Sequence, residues 1–528
     1  MTQTRLCAAV LLVLLAGAAG CGGGPIAPAA GDAAPQAGGD WPLYRGDPAG
    51  TGYSPLAQVN PANVAGLAQA WTYSLRAADD DDTTSPRSQI TPIVVDGVMY
   101  LPAADRVIAL DPVSGQEHWR HVPGAGGAPS RRGVAWWPGA DGLPPRILFT
   151  TGLHLHALDA ATGAPVDGFG TGGAIELGVP YNSVPLVFGN VVVVGANTPR
   201  GAIGGIGNAR AFDARSGDPV WEFSSVAQPG DVGHDTWEGD SWRERLGANA
   251  WPFYFTADEA RSLVFLPLAS PIPGAYGGDR KGANLYGNSV VAVDAQTGEY
   301  RWHFQTIRHD LWDADPPAPP VLFDIERDGS VIPALGVTTK SGYLYILNRE
   351  SGEPVFGIEE RPVPASDVPG EATYPTQPFP VKPAPMGRVA YEPADLVTAD
   401  DTSAEHAAAC AELVDSLGEI HSAGPFTPWV YRPEGAPPRT TLNFPGGVGG
   451  PNWGGVAFDP NSDYLFVVTQ NVGALGWMVR AGDDAPLPYE KATPRPASFD
   501  VAVGDGPRLP CQKPPWGELI AVEAATGD

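Results

Sequence analysis

The densest run of residue types able to do chemistry lies between 247 and 315. It reads G-A-N-A-W at 247–251, L-P-L-A-S-P at 266–271, Y-G-G-D-R-K-G-A-N-L-Y-G-N at 276–288 and W-H-F-Q-T-I-R-H-D-L-W-D-A-D at 302–315. An aspartate beside a histidine, as at Asp310 and His309, can take up or steer a proton. A tryptophan such as Trp251 offers a broad, rigid π-face. Lys340 adds a cation downstream in a chain poor in lysine. Each type also has a plainer use. An aspartate can bond the backbone of its own turn, a single histidine is as often structural, and most of 15 tryptophans fill a core.

The elements that must position these residues announce themselves by repetition. Ala-x-Asp followed by Ser-Gly or Thr-Gly, often closed by Trp, occurs at 109–119, 157–163, 211–221, 292–302 and 521–527, with a looser copy from Tyr345 to Gly352. Each copy follows a β-branched run, so each unit reads as strand, tight Asp/Gly turn, strand. Radially repeated sheets follow from this, an all-β propeller in which aliphatic residues and Trp bury between neighbouring sheets. The aspartates at 111, 159, 213 and 294 are 48, 54 and 81 residues apart. The spacing reaches or exceeds the upper end of a plain propeller repeat of roughly 40–50 residues and implies inserted loops. The largest, Pro-rich, spans 355–440, and such loops usually carry sites over one face. A-W-T-Y at 70–73 is expected to begin the first blade, and a short helix is expected near 404–417.

Gly 67 and Pro 57 make up about a quarter of the chain, here distributed between short apolar strands rather than in low-complexity tracts. The formal charge of −27 and the lack of a basic stripe argue against nucleic acid as a partner. Arg5, the apolar run Leu6–Leu15 and small residues after it form an export signal over 1–20. A-A-G-C at 18–21 reads as a lipoprotein cleavage box that leaves Cys21 lipidated, with 21–39 as a flexible tether and 40–528 as the propeller domain. Simple secretion is the alternative. The acidic run Asp79–Asp82 reads as a solvated loop. Of four cysteines, Cys410 and Cys511 remain, and in an oxidising compartment they pair. There is no C-x-x-C-H for haem c and no adjacent Cys pair.

The 247–315 segment resembles the PQQ (pyrroloquinoline quinone)-dependent dehydrogenases, in the branch of membrane glucose dehydrogenase. The resemblance extends to D-W-P-L-Y-R-G-D-P-A-G-T-G-Y-S-P-L-A-Q-V-N (40–60), S-R-R-G-V-A-W-W-P-G (130–139), P-T-Q-P-F-P (375–380), F-P-G-G-V-G-G-P-N-W-G-G (444–455) and L-P-C-Q-K-P-P-W-G (509–517). It implies an eight-bladed propeller binding PQQ and Ca²⁺ on its axis, with hydride passing from a hydroxyl-bearing carbon to the quinone. Such chemistry needs a base, a Lewis acid and a flat slot.

On that resemblance Asp310 stands at the base position and His309 positions or polarises the substrate. Trp251 stacks on the quinone, and Lys340 reaches its oxygens. Asn452 and Trp453 contact the cofactor's far edge, while Arg131 and Arg132 pair with its carboxylates. Asn197 and Ser270 fall where calcium ligands are expected. Arg200 stands near the expected acid and Ser270 replaces an amide, so calcium should bind weakly, since Ca²⁺ favours carboxylate oxygens.

A relative would continue past Gly527, so the final blades read as incomplete and the chain as a fragment or truncated product. The leading expectation is a PQQ-dependent dehydrogenase oxidising a sugar or polyol on the periplasmic side of a bacterial membrane. Its electrons would pass to membrane quinone or a separate carrier. A lipoprotein scaffold and a degenerate quinoprotein are the competing readings.

Overall fold

A computed structural model describes residues 39–77, 88–124, 127–197, 207–243 and 254–528. The leader, Cys21, nearly all of the tether, the acidic run 79–82, Arg200 and Trp251 lie outside the described residues. Asp40–Asp528 forms one compact unit.

Among the described residues, six antiparallel sheets follow one another as up-and-down meanders. Four have four strands: Ile93–His121, Ala135–Tyr181, Leu186–Phe223 and Thr256–Gln305. The fifth, Val321–Asn348, has three. The sixth joins Val456–Asp459, Tyr464–Gln470 and Gly517–Glu523. The inner strands are apolar on both faces, as in Val191–Val194 and Leu263–Pro267, where every residue is buried. Sheets covered on both sides by neighbouring sheets require that pattern, and they make up the all-β propeller anticipated from the repeats.

The repeat clamps one sheet to the next. Asp111, Asp159 and Asp294 each accept two backbone N–H groups and a hydroxyl from the Ser/Thr of their own turn. The turn glycine that follows has φ near +70° and no side chain, which leaves room for a tryptophan from the preceding sheet. A Cβ on Gly163 would lie 2.5 Å from Trp119, and the same holds for Gly298 over Trp221 and Gly352 over Trp302 at 2.7 and 2.5 Å. Each indole N–H then donates to a carbonyl of that turn: Trp119 to Ala160, Trp221 to Ala295 and Trp302 to Arg349, at 2.9, 3.0 and 3.1 Å. Where a copy lacks Trp, another apolar side chain fills the notch: Ile175 over Gly217 and Phe356 over Gly527.

Trp71 of A-W-T-Y makes the same lock on Gly115 and Pro112, but from an extended segment outside any strand. The first sheet begins instead at Ile93, and Trp41 bridges to its Val94.

The inserted residues fold into a cap. It holds the helix Ala404–Leu417, opened by Ser403 Oγ accepting from His406 N, and a sheet of Glu419–His421, Arg439–Asn443, Ala474–Arg480 and Tyr489–Ala492. A disulfide between Cys410 and Cys511 ties the helix to the returning chain. No helix among the described residues is long and apolar enough to cross a membrane.

Candidate active site

Three segments leave the fourth sheet at one end. Pro267 pairs with Val290 and Ser289 with Gln305. The chain beyond the second strand, the chain entering the third and the chain leaving the fourth therefore emerge together. They carry Ser270, Asn288 and Asp310, all buried.

Asp310 receives a donor from each. Its Oδ2 accepts Ser270 Oγ, Asn288 Nδ2 at 2.9 Å and Ala314 N at 3.0 Å. Among the described residues its Oδ1 accepts a single donor, Trp312 N at 2.8 Å. Its backbone carbonyl accepts from the fully buried Arg280 guanidinium. The carboxylate is thus fixed in plane, with Oδ2 saturated and a lone pair open on Oδ1. The backbone here is in the left-handed region at Asn284, Asn288, His309 and Asp313, at φ 64°, 53°, 50° and 60°. Non-glycine residues hold such angles where surrounding contacts over-determine them.

His309 Nδ1 faces two oxygens, Gly282 O at 2.9 Å and Asn284 Oδ1 at 3.1 Å, so this nitrogen carries the proton. Burial, reinforced by the Arg280 charge, pushes its pKa down to about 3. The ring is therefore neutral at physiological pH, and its bare Nε2 is packed against Gly277, where a Cβ would lie 2.4 Å away.

Lys340 follows the second strand of the fifth sheet, in the turn closed by Thr339 N to Tyr343 O. Its ammonium lies 2.6 Å from Asp315 and 3.4 Å from Asp313. Burial alone would lower its pKa, but the Asp315 and Asp313 charges outweigh it and hold Lys340 above the ordinary lysine range. Gly449 and Gly450 of the F-P-G-G-V-G-G-P-N-W-G-G loop lie against it. A Cβ on Gly449 would reach Lys340 Cα at 2.8 Å, so this approach requires glycine.

Between the H-D-L-W-D segment and the cap is a cavity lined by Trp312, Asp313, Lys340, Phe426, Trp429, Asn443 and Phe444 among others. Trp312 Nε1 donates to Thr427 O at 2.8 Å, and Trp429 Nε1 to Leu311 O at 2.9 Å, so the two segments hold each other. Among the described residues, Asn443 Nδ2 is buried and has no hydrogen-bond partner.

The other expected site residues fall elsewhere. Asn452 Nδ2 and Oδ1 are engaged within their own turn, with Val448 O and Trp453 N, and Trp453 is exposed. Arg131 is exposed. Arg132 donates to Ser183 Oγ, and burial lowers its pKa to about 10 despite Tyr181 and Tyr44. Asn197 Oδ1 accepts from Asn182 N at 2.8 Å. Sequence reading missed Asn288, Arg280, Asp315, Asn443 and Trp429. Asn288 and Arg280 stood in the quoted Y-G-G-D-R-K-G-A-N-L-Y-G-N run, but only the sheet end reveals what they touch.

A propeller with a buried aspartate, an ion-paired lysine and an aromatic cavity at one end of its sheets defines the class, and comparison agrees. The family described as "PQQ: Glucose/ethanol/alcohol dehydrogenase, beta-propeller domain" matches residues 41–528, and the chain belongs to it. The quinate/shikimate dehydrogenase (quinone) of Acinetobacter baylyi is 29% identical over 92% of this chain, which spans 65% of that relative's length. The glycerol dehydrogenase large subunit of Gluconobacter oxydans is 30% identical over 94% of this chain and 71% of its own. Among solved structures, a quinohemoprotein alcohol dehydrogenase from Pseudomonas putida HK5 superposes with a TM-score of 0.64 at 22% identity, over 93% of this chain and 65% of that one. That likeness shows the shared fold.

The residue types around this cavity suit the quinone the family implies. The cavity is walled by Trp312, Phe426, Trp429 and Phe444, and it presents the Lys340 ammonium and the unpartnered Asn443 amide to acceptor oxygens. A calcium ion would find Asp310 and Ser270 oxygens together, fewer than the six to eight it takes. No further step is assigned to it.

Proposed function

We propose that this chain is a PQQ-dependent dehydrogenase that oxidises the hydroxyl-bearing carbon of a sugar or polyol, of the glucose-to-lactone type. PQQ, when bound, supplies the hydride acceptor. Asp310 takes the substrate hydroxyl proton on Oδ1, the oxygen with an open lone pair. Ser270, Asn288 and Ala314 N hold Oδ2 and keep the carboxylate aimed. Lys340, kept charged by Asp315 and Asp313, stabilises negative charge developing on an acceptor oxygen in the cavity. His309, neutral and locked through Nδ1, positions the Asp310 backbone rather than exchanging protons.

The observation that carries this reading is the buried, four-donor Asp310 beside the Lys340 cavity in a chain of this family. A scaffold propeller has no use for either group. The leader and Cys21 support an export route and lipid anchor on the periplasmic side, with electrons handed to membrane quinone or a separate carrier.

Reconstitution tests the proposal. Purified protein is titrated with PQQ and Ca²⁺, then assayed for dye reduction with glucose, polyols and simple alcohols. Saturable PQQ binding with dye reduction by at least one of these substrates is expected. Absence of both would overturn the reading in favour of a scaffold.

A further inference from the structure

His406 and Cys410 stand four residues apart in the helix Ala404–Leu417, so their side chains share one face. The disulfide brings Cys511 of the returning chain against that face, with Cα atoms 5.3 Å apart. All three side chains are fully buried. Among the described residues they are the one group of three histidine, cysteine or acidic side chains whose ligating atoms all lie within 4.8 Å of one another.

The imidazole is held by one nitrogen only. Its Nδ1 lies 2.9 Å from Oγ1 of Thr402, the residue before the helix cap, and Trp516 meets the ring edge-on. Its Nε2 is buried and, among the described residues, has no hydrogen-bond partner. A neutral ring that donates from Nδ1 to Thr402 leaves Nε2 as a bare, buried lone pair. Buried polar atoms are rarely left in that state. The disulfide cannot satisfy it, since its sulfurs carry no proton to donate. Two thiolates and this lone pair, by contrast, are a donor set for a d¹⁰ cation such as zinc. Tetrahedral Zn²⁺, with Zn–S of about 2.3 Å and Zn–N of about 2.0 Å, sets its ligand atoms roughly 3.5–3.8 Å apart. That separation is inside the span the three side chains already occupy. Rotation about the two cysteine Cα–Cβ bonds parts the sulfurs to reach it. Thr402 then supplies the outer hydrogen bond that fixes the tautomer and plane of a ligating histidine.

We propose that, while Cys410 and Cys511 are thiols, their two sulfurs and His406 Nε2 bind a Zn²⁺ ion. Every newly made chain carries these cysteines reduced. Binding releases both thiol protons, forms two Zn–S bonds and one Zn–N bond, and moves no electron. The disulfide is the same pair two electrons more oxidised and has no thiolate to offer, so metal and disulfide exclude each other. Either one ties the helix to the returning chain, within the core cluster that includes Phe444, a wall of the Lys340 cavity. The site stands independently of the dehydrogenase reading.

The test uses the full chain, untagged, held reduced by a phosphine and compared with its disulfide form. Both are equilibrated with Zn²⁺, desalted and analysed for bound metal by mass spectrometry. The reduced chain should retain one Zn²⁺ more than the disulfide form. Co²⁺ in its place should give the thiolate-to-metal charge-transfer absorption of a sulfur-ligated site. His406→Ala, which leaves Cys7 and Cys21 in place, should weaken Zn²⁺ binding by about a hundredfold or more. Thr402→Val should weaken it by about tenfold, as expected for loss of a ligand's outer partner. Equal zinc in the two forms, or unchanged affinity in His406→Ala, would overturn the proposal. If His406→Ala does not fold, a Co²⁺ spectrum of reduced wild type without thiolate charge transfer is decisive against it. If the reduced chain loses its native circular dichroism, Zn²⁺ should restore it, and failure to do so would equally overturn the site.

Discussion

Asp294 and Asp310 belong to the same sheet and are satisfied in opposite ways. Asp294 closes a repeat turn: its donors are the N–H groups of Gln296 and Thr297, the Thr297 hydroxyl, and Arg301 at 3.0 Å. All lie within one short stretch, and the group is part-exposed. Asp310 is 1% exposed and draws donors from three separate segments that meet only because strands pair in register. A local motif thus makes a clamp, whereas a convergence of strand ends makes a site. The same contrast holds for tryptophan. Trp302 fills a glycine notch between sheets, and Trp429 walls a cavity and carries the Lys491 ammonium.

Substitutions can break this contrast, and the largest effect on stability is expected at the site. Lys340→Gln leaves Asp315 buried without its cation, a loss of about 3–5 kcal/mol together with loss of turnover. Chemical denaturation and the dye assay read both, and a stable, active variant would refute the pairing. Trp302→Ala should cost a similar ~3–5 kcal/mol by emptying the notch over Gly352, yet leave kcat of the folded fraction intact.

Acid should act through the buried histidines. His309 and His156 have folded pKa values of about 3 and about 4, lowered first by burial, against about 6.5 unfolded. Their contribution is therefore complete above pH 6.5 and is lost as pH falls toward those values. Tm should drop between pH 6.5 and 4.5, and His309→Asn should flatten that slope. A slope identical to wild type would remove His309 from the account. Asp294→Ala should have the smallest effect, about 1 kcal/mol from lost turn bonds, with unchanged kcat/KM.

The same contrast explains what could be read in the chain before its fold was known. Repeat aspartates and glycines carry their meaning locally, so the sheets, their Asp-centred turns and the role of Trp119, Trp221 and Trp302 were legible. So was the helix Ala404–Leu417. Ile175 and Phe356 were not, because which apolar residue fills an empty notch depends on the packing of two sheets. Asp310 and Lys340 were found through family likeness, since nothing near them in sequence supplies Ser270 or Asp315. The cap was the least legible part. Its Pro-rich segment has no strong period, and Asn443, Trp429 and Lys491 converge only through the pairing of Arg439–Asn443, Ala474–Arg480 and Tyr489–Ala492.

The most direct test of the account places Asp310→Asn beside Asp294→Asn. PQQ affinity and steady-state dye reduction are measured on both, with folding checked by circular dichroism. Asp310→Asn should bind PQQ within a few-fold of wild type and lose about 10²–10⁴ in turnover, the range for removing a proton-transfer group. Asp294→Asn should keep its turnover. Full turnover in Asp310→Asn, with PQQ bound, would contradict the assignment of this buried carboxylate as the base.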